Sequence, residues 1–257
     1  MPIVTLLSDW GFADHYVAVM KGGIMNSVPG VHIIDISHQI RRDDLIHGAF
    51  IMKNSWTHFP KGTIHVCGIT AETGKAPVLI AIRHQEHIFV GSDDGFYTMV
   101  FGEMPPESYY VLTSKGDKVM SSVRSLAQTA SFLAKGGAVA EVGKPMTEHV
   151  KRSFLEAVVE EDAIRGVVIH IDTFGNLITN ITKSVFDQNA QGRPFEINLR
   201  RTIDVIDRIS RHYYSDEGGT ILAHFNDAGY LEIAVARSSA AQLLGLKYSD
   251  PVKIEFK

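Results

Sequence analysis

The first 145 residues alternate between short apolar runs typical of β-strands and longer segments typical of helices, and this alternation limits the fold more than any other feature. The predicted strands cover residues 3–7, 31–36, 63–69, 78–82, 88–91 and 109–113. The predicted helices cover residues 14–28, 43–56 and 122–134. Because strands that alternate with helices usually pair in parallel beneath them, we predict an α/β fold with a largely parallel central sheet.

The pattern changes after the sequence Gly143-Lys144-Pro145 and the acidic stretch 156–162. Short β-rich segments separated by turn residues follow, at 166–171, 195–199, 220–225, 230–234 and 252–256, with a short helix near 239–245. This pattern is typical of a mostly β domain. We therefore predict two domains in the 257 residues, an α/β domain at 1–150 and a smaller β-rich C-terminal domain at 164–257.

Composition and charge argue against several classes of partner. The chain has 25 Lys and Arg against 29 Asp and Glu, so no overall positive field would attract nucleic acid or an anionic membrane. The single cysteine, Cys67, has no partner for an internal disulfide. The first ten residues lack Lys and Arg, and no apolar run approaches the ~18 residues of a membrane span. We expect a cytoplasmic protein that binds neither nucleic acid nor membrane.

Common cofactor and nucleophile motifs are missing from the sequence. Two glycine–lysine sequences, from Gly68 to Lys75 and from Gly137 to Lys144, have one residue too many between their glycines for a phosphate-binding loop. There is no G-x-G-x-x-G dinucleotide fingerprint and no G-x-S-x-G serine elbow. The 12 histidines show no zinc-binding spacing, so we expect no metal.

Polar side chains follow several predicted strands of the first domain, where open α/β sheets bind ligands. These candidates are Asp9, Asp14, Thr70, Thr73, Ser121 and Ser122. Ordinary turn chemistry would also account for the two threonines, and capping of the helix at 122–134 would account for the two serines.

A similar polar segment, residues 171–181, opens the second domain. A simple turn would explain its Gly175-Asn176 pair. It would not require the neighbouring Asp172 and Phe174, or a second asparagine at Asn180. Since an asparagine side chain carries both a donor and an acceptor, Asn176 is suited to reading the edge of an amide-like ring.

Taken together, these segments resemble the S-adenosylmethionine-dependent hydroxide adenosyltransferase family, the relatives of the fluorinase and chlorinase enzymes. The resemblance covers nearly the whole chain. It is carried by Ser8-Asp9-Trp10-Gly11 with Asp14 and Lys21-Gly22, Ile34-Asp35-Ile36-Ser37-His38 with Asp44, Phe59-Pro60-Lys61-Gly62-Thr63, Gly91-Ser92-Asp93-Asp94-Gly95, residues 172–180, and Asn226 with residues 229–234.

The resemblance implies an N-terminal α/β domain, a C-terminal β-barrel-like domain and a homotrimer that holds each small-molecule nucleoside or sulfonium ligand between subunits. It implies no cofactor beyond S-adenosylmethionine as substrate. The substrate-binding residues that it implies are Asp9, Asp14, Tyr16, Asp172, Asn176 and Asn226. Of these, Asp9 would hold the ribose diol, the other two aspartates the methionine ammonium, and Asn176 the adenine edge.

The family reaction is the attack of a nucleophile on ribose C5′, with methionine as the leaving group. Hydroxide-type members resemble one another in an Asp, an Arg and a His that polarise water. In this sequence Thr70 stands at the Asp position, Lys75 lies near the Arg position and Ser121 stands at the His position. Thr73 and Ser122 fall where fluorinase-like members place groups around a halide. Thr70, Thr73, Ser121 and Ser122 are therefore the predicted catalytic residues.

The leading functional hypothesis is the hydrolysis of S-adenosylmethionine to adenosine and methionine. A second hypothesis keeps the fold and the reacting carbon but uses a halide or another nucleophile. A third, from a different class, is a catalytically silent protein that binds S-adenosylmethionine or adenosine.

Overall fold

The computed structural model describes residues 1–69, 77–102, 104–112, 119–199, 205–211, 213 and 218–257, with backbone only for residues 119–121. The chain forms two compact units, residues 1–154 and residues 155–257. Within these described ranges, none of the helices is both long and apolar enough to cross a membrane.

The N-terminal unit alternates strands with helices along the chain. Its described strands are β1 (Ile3–Ser8), β2 (His32–Ser37), β3 (Ile64–Gly68), β4 (Leu79–His84), β5 (His87–Ser92), β6 (Ser108–Leu112) and β7 (Gly143–Pro145). Its described α-helices are α1 (Tyr16–Ser27), α2 (Leu45–Lys53), α3 (Phe96–Phe101) and α4 (Val119–Ala134). Short 3-10 turns cover Trp56–His58 and Val139–Glu141.

The strands of this unit form one sheet in the order β2-β1-β3-β5-β4-β6-β7. The first four strands in that order pair in parallel, and β4 is antiparallel to both of its neighbours. The predicted largely parallel sheet is confirmed. The chain places β2 on one side of β1 and then crosses to place β3 on the other side, so the carboxyl ends of β1 and β3 form the topological switch point where such sheets bind ligands.

Both faces of this sheet are covered, because side chains alternate along each strand. From β1, Val4 and Leu6 pack against Ile24 of α1, while Leu7 packs on the opposite face with Ala49 of α2. Helices α1 and α4 lie side by side on the first face, and α2 and α3 on the second. Burial on both faces explains why the strands of this domain are almost continuously apolar in sequence.

The helix boundaries differ in places from the predictions. Asp44 caps α2 by accepting a hydrogen bond from the backbone N–H of His47 (2.9 Å), as its position in the sequence suggests. Helix α4 begins at Val119, so Ser121 and Ser122 lie in its first turn rather than at its cap. Helix α3 was not predicted, because six residues are too few to show a helical period.

The C-terminal unit consists mainly of antiparallel strands. Its described strands are β8 (Val158–Glu160), β9 (Ala163–Ile171), β10 (Leu177–Thr182), β11 (Phe195–Leu199), β12 (Ile221–Phe225), β13 (Tyr230–Val235) and β14 (Pro251–Phe256). Its described helices are α5 (Lys183–Ala190) and α6 (Ala240–Leu244). The sequence analysis predicted neither β10 nor α5. Strand β10 was missed because its apolar residues follow directly on the polar segment at 171–176.

These strands pair in the order β11-β14-β9-β10-β13-β12, with β8 added on β9. The long strand β9 pairs with β14 along its first half and with β10 along its second half. The change of partner falls between Val167 and Val168. Close by, a Cβ atom at Gly166 would lie 2.5 Å from Ile181 Cγ1. Single bridges join Ile206 to β11 and Ile209 to β12, the two outermost strands of this order. The sheet therefore curls into a half-barrel, as the resemblance implies.

Burial lowers the pKa values of three histidines of the N-terminal unit. His65 of β3 is fully buried, with Nδ1 2.8 Å from Thr5 Oγ1 and Nε2 3.1 Å from His87 Nδ1. Burial, with a further contribution from the nearby His87, lowers the pKa of His65 to about 3. Burial also lowers the pKa values of His84 and His87, so charging any of the three opposes folding.

We expect the N-terminal unit to lose stability as the pH falls below the ordinary histidine pKa of about 6.5, because the unfolded chain then binds protons that folded His65 does not. The stabilisation is complete above that pH and lost as the pH falls toward the folded pKa of about 3. His65 alone should lower the free energy of unfolding by roughly 2–3 kcal/mol between about pH 7 and pH 4.5.

Urea unfolding followed by tryptophan fluorescence reports on this unit, because it contains both tryptophans, Trp10 and Trp56. His65→Phe should flatten the pH dependence, whereas the matched change at the exposed His58, His58→Phe, should leave it unchanged. An equally steep pH dependence in His65→Phe would show that His65 is not the group responsible.

Candidate active site

The turn after β1 is tied to the segment that follows β2. Ser8 is buried at the end of β1, and Asp9 comes next, half-buried. The backbone N–H of Asp43 donates to Asp9 Oδ2 (3.1 Å), and the N–H of Gly11 donates to the carbonyl of His38 (2.8 Å). These contacts fix the Asp9 carboxylate at the switch point before any ligand is present.

The environment of Asp9 raises the pKa of its carboxyl group. Burial is the largest cause and the nearby Asp43 carboxylate adds to it, while backbone N–H donors and Arg42 partly offset both. A partly desolvated carboxylate that is already fixed by a backbone donor makes stronger hydrogen bonds to hydroxyl groups than one in water.

Trp10 and Tyr16 extend this site. Gly68 ends β3, and a Cβ atom there would overlap the indole of Trp10, so the glycine lets that ring lie on the end of the strand. The ring of Tyr16, the first residue of α1, lies 6.4 Å from the Trp10 ring between centroids. Asp14 is exposed in the same connection. The structure thus places Asp9, Asp14 and Tyr16 on one short β1–α1 connection.

The four predicted catalytic residues are described only in part. Thr70 and Thr73 lie outside the described residues. Ser121 is described by its backbone in the first turn of α4, and the side chain of Ser122 is half-buried one residue later. Their common role therefore stays a prediction.

In the C-terminal unit, Asp172 and Asn176 contact each other directly. Asp172 Oδ1 accepts hydrogen bonds from the backbone N–H groups of Phe174 (2.9 Å) and Asn176 (2.8 Å). Its other oxygen, Oδ2, accepts from the side-chain amide of Asn176 (3.0 Å). Gly175 has a φ of 84° and packs against Ser239, in a position where a Cβ atom would overlap the serine hydroxyl. This turn holds the carboxylate and the amide in a defined geometry.

A cavity of about 540 Å³ lies beside this turn. Its described lining residues are Asp172, Phe174, Asn176, Tyr213, Val235, Arg237 and Ser238. The volume falls within the range of small-molecule sites. The phenyl ring of Phe174 is 79% exposed, which leaves an aromatic face available for stacking on a planar ligand.

Asn226 is linked to this cavity through a buried acid. Its Oδ1 accepts from the backbone N–H of Tyr230 (3.0 Å), and its Nδ2 donates to Glu232 Oε2 (3.1 Å). The hydroxyl of Tyr213, a cavity residue, donates to the other oxygen of Glu232. Burial opposes ionisation of Glu232, but the neighbouring His224 and the bonds from Tyr213 and Asn226 outweigh it and hold its pKa below the ordinary value.

The sequence analysis missed Tyr213, Glu232 and Arg237 as site residues. Glu232 carries a usable signal, because a carboxylate in an apolar strand such as β13 is buried only when it has partners. The sequence around Tyr213 and Arg237 carries no comparable signal. Among the described residues, no three or more His, Cys, Asp or Glu side chains are arranged to hold a metal ion.

Two family profiles match the chain. The SAM hydroxide adenosyltransferase N-terminal domain matches residues 4–145, and the SAM hydroxide adenosyltransferase C-terminal domain matches residues 166–253. The chain belongs to this family. The matched ranges include Asp9 and Asp14 in the first domain and Asp172, Asn176 and Asn226 in the second.

This family member is similar to proteins of two activities. It is 28% identical to the (R)-S-adenosyl-L-methionine hydrolase of Methanocaldococcus jannaschii, over 99% of this chain and 96% of that protein. It is 26% identical to a fluorinase of an Actinoplanes species, over 93% and 92% of the two chains. A crystal structure of an uncharacterized conserved protein from Thermotoga maritima superposes with a TM-score of 0.85 at 25% identity, covering 98% of this chain and 99% of that one.

We expect Gly175→Ala to destabilise the C-terminal unit more than Gly192→Ala. Both glycines have nearly the same φ, 84° and 82°, but only Gly175 has an atom in the space that a Cβ would take. Gly192→Ala should cost about 1 kcal/mol of unfolding free energy from backbone strain alone. Gly175→Ala should cost roughly 2–4 kcal/mol, because overlap with Ser239 is added. Urea unfolding followed by far-UV circular dichroism measures both, and equal costs would mean that the Asp172 turn tolerates a side chain.

Proposed function

We propose that this chain hydrolyses S-adenosylmethionine to adenosine and methionine. Membership of the SAM hydroxide adenosyltransferase family and the similarity to (R)-S-adenosyl-L-methionine hydrolases support the reaction class. The observation that carries the proposal is the cavity of the C-terminal unit, where one turn presents a carboxylate, an amide and an exposed aromatic ring together.

Each proposed ligand contact follows from the chemistry of the group concerned. Asp9 accepts hydrogen bonds from the ribose diol, for which its partly desolvated carboxylate is suited. Asp14 and Asp172 pair with the methionine ammonium, and Asn176 reads the adenine edge with its donor and acceptor. Tyr16 and Asn226 complete the proposed substrate-binding set.

The proposed step is a single displacement at ribose C5′. A water oxygen forms the new bond to C5′, the C5′–S bond breaks, and its electron pair returns to sulfur as neutral methionine leaves. The water releases one proton to solvent. Because sulfonium is already a good leaving group, alignment and desolvation of the water supply much of the catalysis. We assign the water pocket to Thr70, Thr73, Ser121 and Ser122, and the substrate needs no added metal or cofactor.

The proposal is tested by incubating the purified protein with S-adenosylmethionine, with and without chloride, and separating the nucleosides by liquid chromatography with mass detection. We expect adenosine and methionine in equal amounts, whether or not chloride is present. A 5′-chloro nucleoside would favour a halide as nucleophile. Bound but unchanged S-adenosylmethionine would favour the silent binding protein.

Asp9→Asn tests the ribose contact in the same assay. Losing a charged acceptor of two hydroxyl groups should lower kcat/KM by roughly 10- to 100-fold. The matched control is Asp187→Asn, which makes the same change in an exposed aspartate that pairs with Lys183. An Asp9→Asn protein as active as the control would remove Asp9 from the site.

The proposal includes a homotrimer with ligand held between subunits. The outer edge of the sheet supports a subunit contact, because β2 is an edge strand whose Ile34 is 39% exposed beside Met25, which is 59% exposed. An edge strand with exposed apolar side chains offers a surface on which another chain can pack.

We expect light scattering at micromolar concentration to give three times the 28.4 kDa chain mass, and Ile34→Glu to lower it. A monomeric wild-type protein that still turns over S-adenosylmethionine would contradict the intersubunit site while leaving the reaction in place.

A further inference from the structure

A hydrogen-bonded chain of four side chains runs from the surface of the N-terminal unit to the turn that carries Asp9. Lys21 Nζ on α1 lies 2.5 Å from Asp35 Oδ2 on β2. Asp35 Oδ1 lies 3.1 Å from His38 Nε2, and His38 Nδ1 lies 2.6 Å from Ser8 Oγ. His38 and Ser8 are each only 1% exposed. No step of the proposed reaction uses these four groups.

The chemistry of the end groups fixes the direction of the bonds that Asp35 makes to Lys21 and His38. Lys21 can only donate and the ionised Asp35 can only accept, so the Nε2 proton of His38 points to Asp35. In the Nε2–H tautomer, the lone pair on Nδ1 accepts the hydroxyl proton of Ser8. Ser8 Oγ in turn accepts from the backbone N–H of Trp10 (3.4 Å). The backbone N–H next to Asp9 is therefore oriented by a charge pair on the surface.

His38 also contacts this turn beyond Asp9. Its backbone carbonyl accepts from the N–H of Gly11 (2.8 Å), and its ring meets the Phe12 ring edge to face, with centroids 5.1 Å apart. Contacts from one residue to Ser8 on one side of Asp9, and to Gly11 and Phe12 on the other, span the turn.

We propose that His38 is a positioning residue for the Asp9 turn, and that Asp35 sets the direction of its hydrogen bond to Ser8. The consequence for ligand binding rests on the proposed function, in which Asp9 holds the ribose diol. In that role the chain acts on binding of the nucleoside, through the placement of Asp9, and has no contact of its own with the reacting atoms.

Asp35→Asn tests the direction of the chain. In this variant the Lys21 ammonium still needs an acceptor, so it hydrogen-bonds to the oxygen of the new amide. The amide NH₂ then faces His38 and donates to Nε2. The ring proton must then move to Nδ1 and donate to Ser8, which reverses the bond. The side chain of Asp35 is 30% exposed, so this change leaves the core packing in place.

Three measurements follow the reversal. Nitrogen-15 NMR of labelled histidines, with His38→Gln used to assign the signal, should show Nε2–H in the wild-type protein and Nδ1–H in Asp35→Asn. Calorimetry with adenosine should show about fivefold weaker binding, which is the loss of affinity expected when one supporting hydrogen bond is reversed. With S-adenosylmethionine, KM should rise while kcat changes less than twofold, since only binding contacts are disturbed.

Two variants separate this effect from general loss of charge. Asp187→Asn removes the acid of another lysine–aspartate pair and should change neither the His38 tautomer nor adenosine binding. Lys21→Met removes the outer charge but keeps Asp35 as acceptor, so the Nε2–H tautomer should persist.

Three results would overturn the proposal. They are an Nδ1–H ring in the wild-type protein, an unchanged tautomer in Asp35→Asn, and a reversed tautomer with unchanged adenosine affinity. If the wild-type protein binds no nucleoside at all, the proposed function fails separately. The positioning role is then decided by hydrogen exchange at the Trp10 and Gly11 amides, which Asp35→Asn should speed if His38 holds the turn.

Discussion

The N-terminal unit depends on the position of β1, which is paired along both edges and buried on both faces. With β2 and β3 as its parallel neighbours, its backbone groups are satisfied along the strand, and its side chains pack under α1 on one face and α2 on the other. Within such a strand a polar side chain needs a buried partner, as Thr5 has in His65, and a side chain that is to meet a ligand stands at an end. Ser8 and Asp9 stand at the carboxyl end, and that is where the candidate site begins.

In both units, backbone N–H groups hold a carboxylate of the candidate site in place. Asp9 accepts a backbone N–H from Asp43, and Asp172 accepts two backbone N–H groups from its own turn. Each acid is thereby fixed before a ligand arrives, which reduces the ordering that binding must oppose. Glycines allow the close approaches at both places, since Gly68 admits the Trp10 ring and Gly175 admits Ser239.

Two groups of polar side chains are joined in hydrogen-bonded networks. The Lys21–Asp35–His38–Ser8 chain runs from the surface to the residue before Asp9, and the Tyr213–Glu232–Asn226 cluster joins a cavity residue to Asn226. Satisfied networks of this kind favour one arrangement of their members, because any alternative leaves a buried donor or acceptor unpaired.

The sequence by itself determined the α/β class of the first domain, the β-rich class of the second, and the family. It did so because strand and helix periods, and many ordered motifs, are local properties of the chain. It also placed Asp9, Asp172 and Asn176 at strand ends, but it missed α3, β10 and α5, whose signals are short or merge with polar neighbours. Only the tertiary structure joined His38 to Ser8 across 30 residues, and Tyr213 to Glu232 across 19, because hydrogen bonds between distant residues depend on the register of strands rather than on any local pattern.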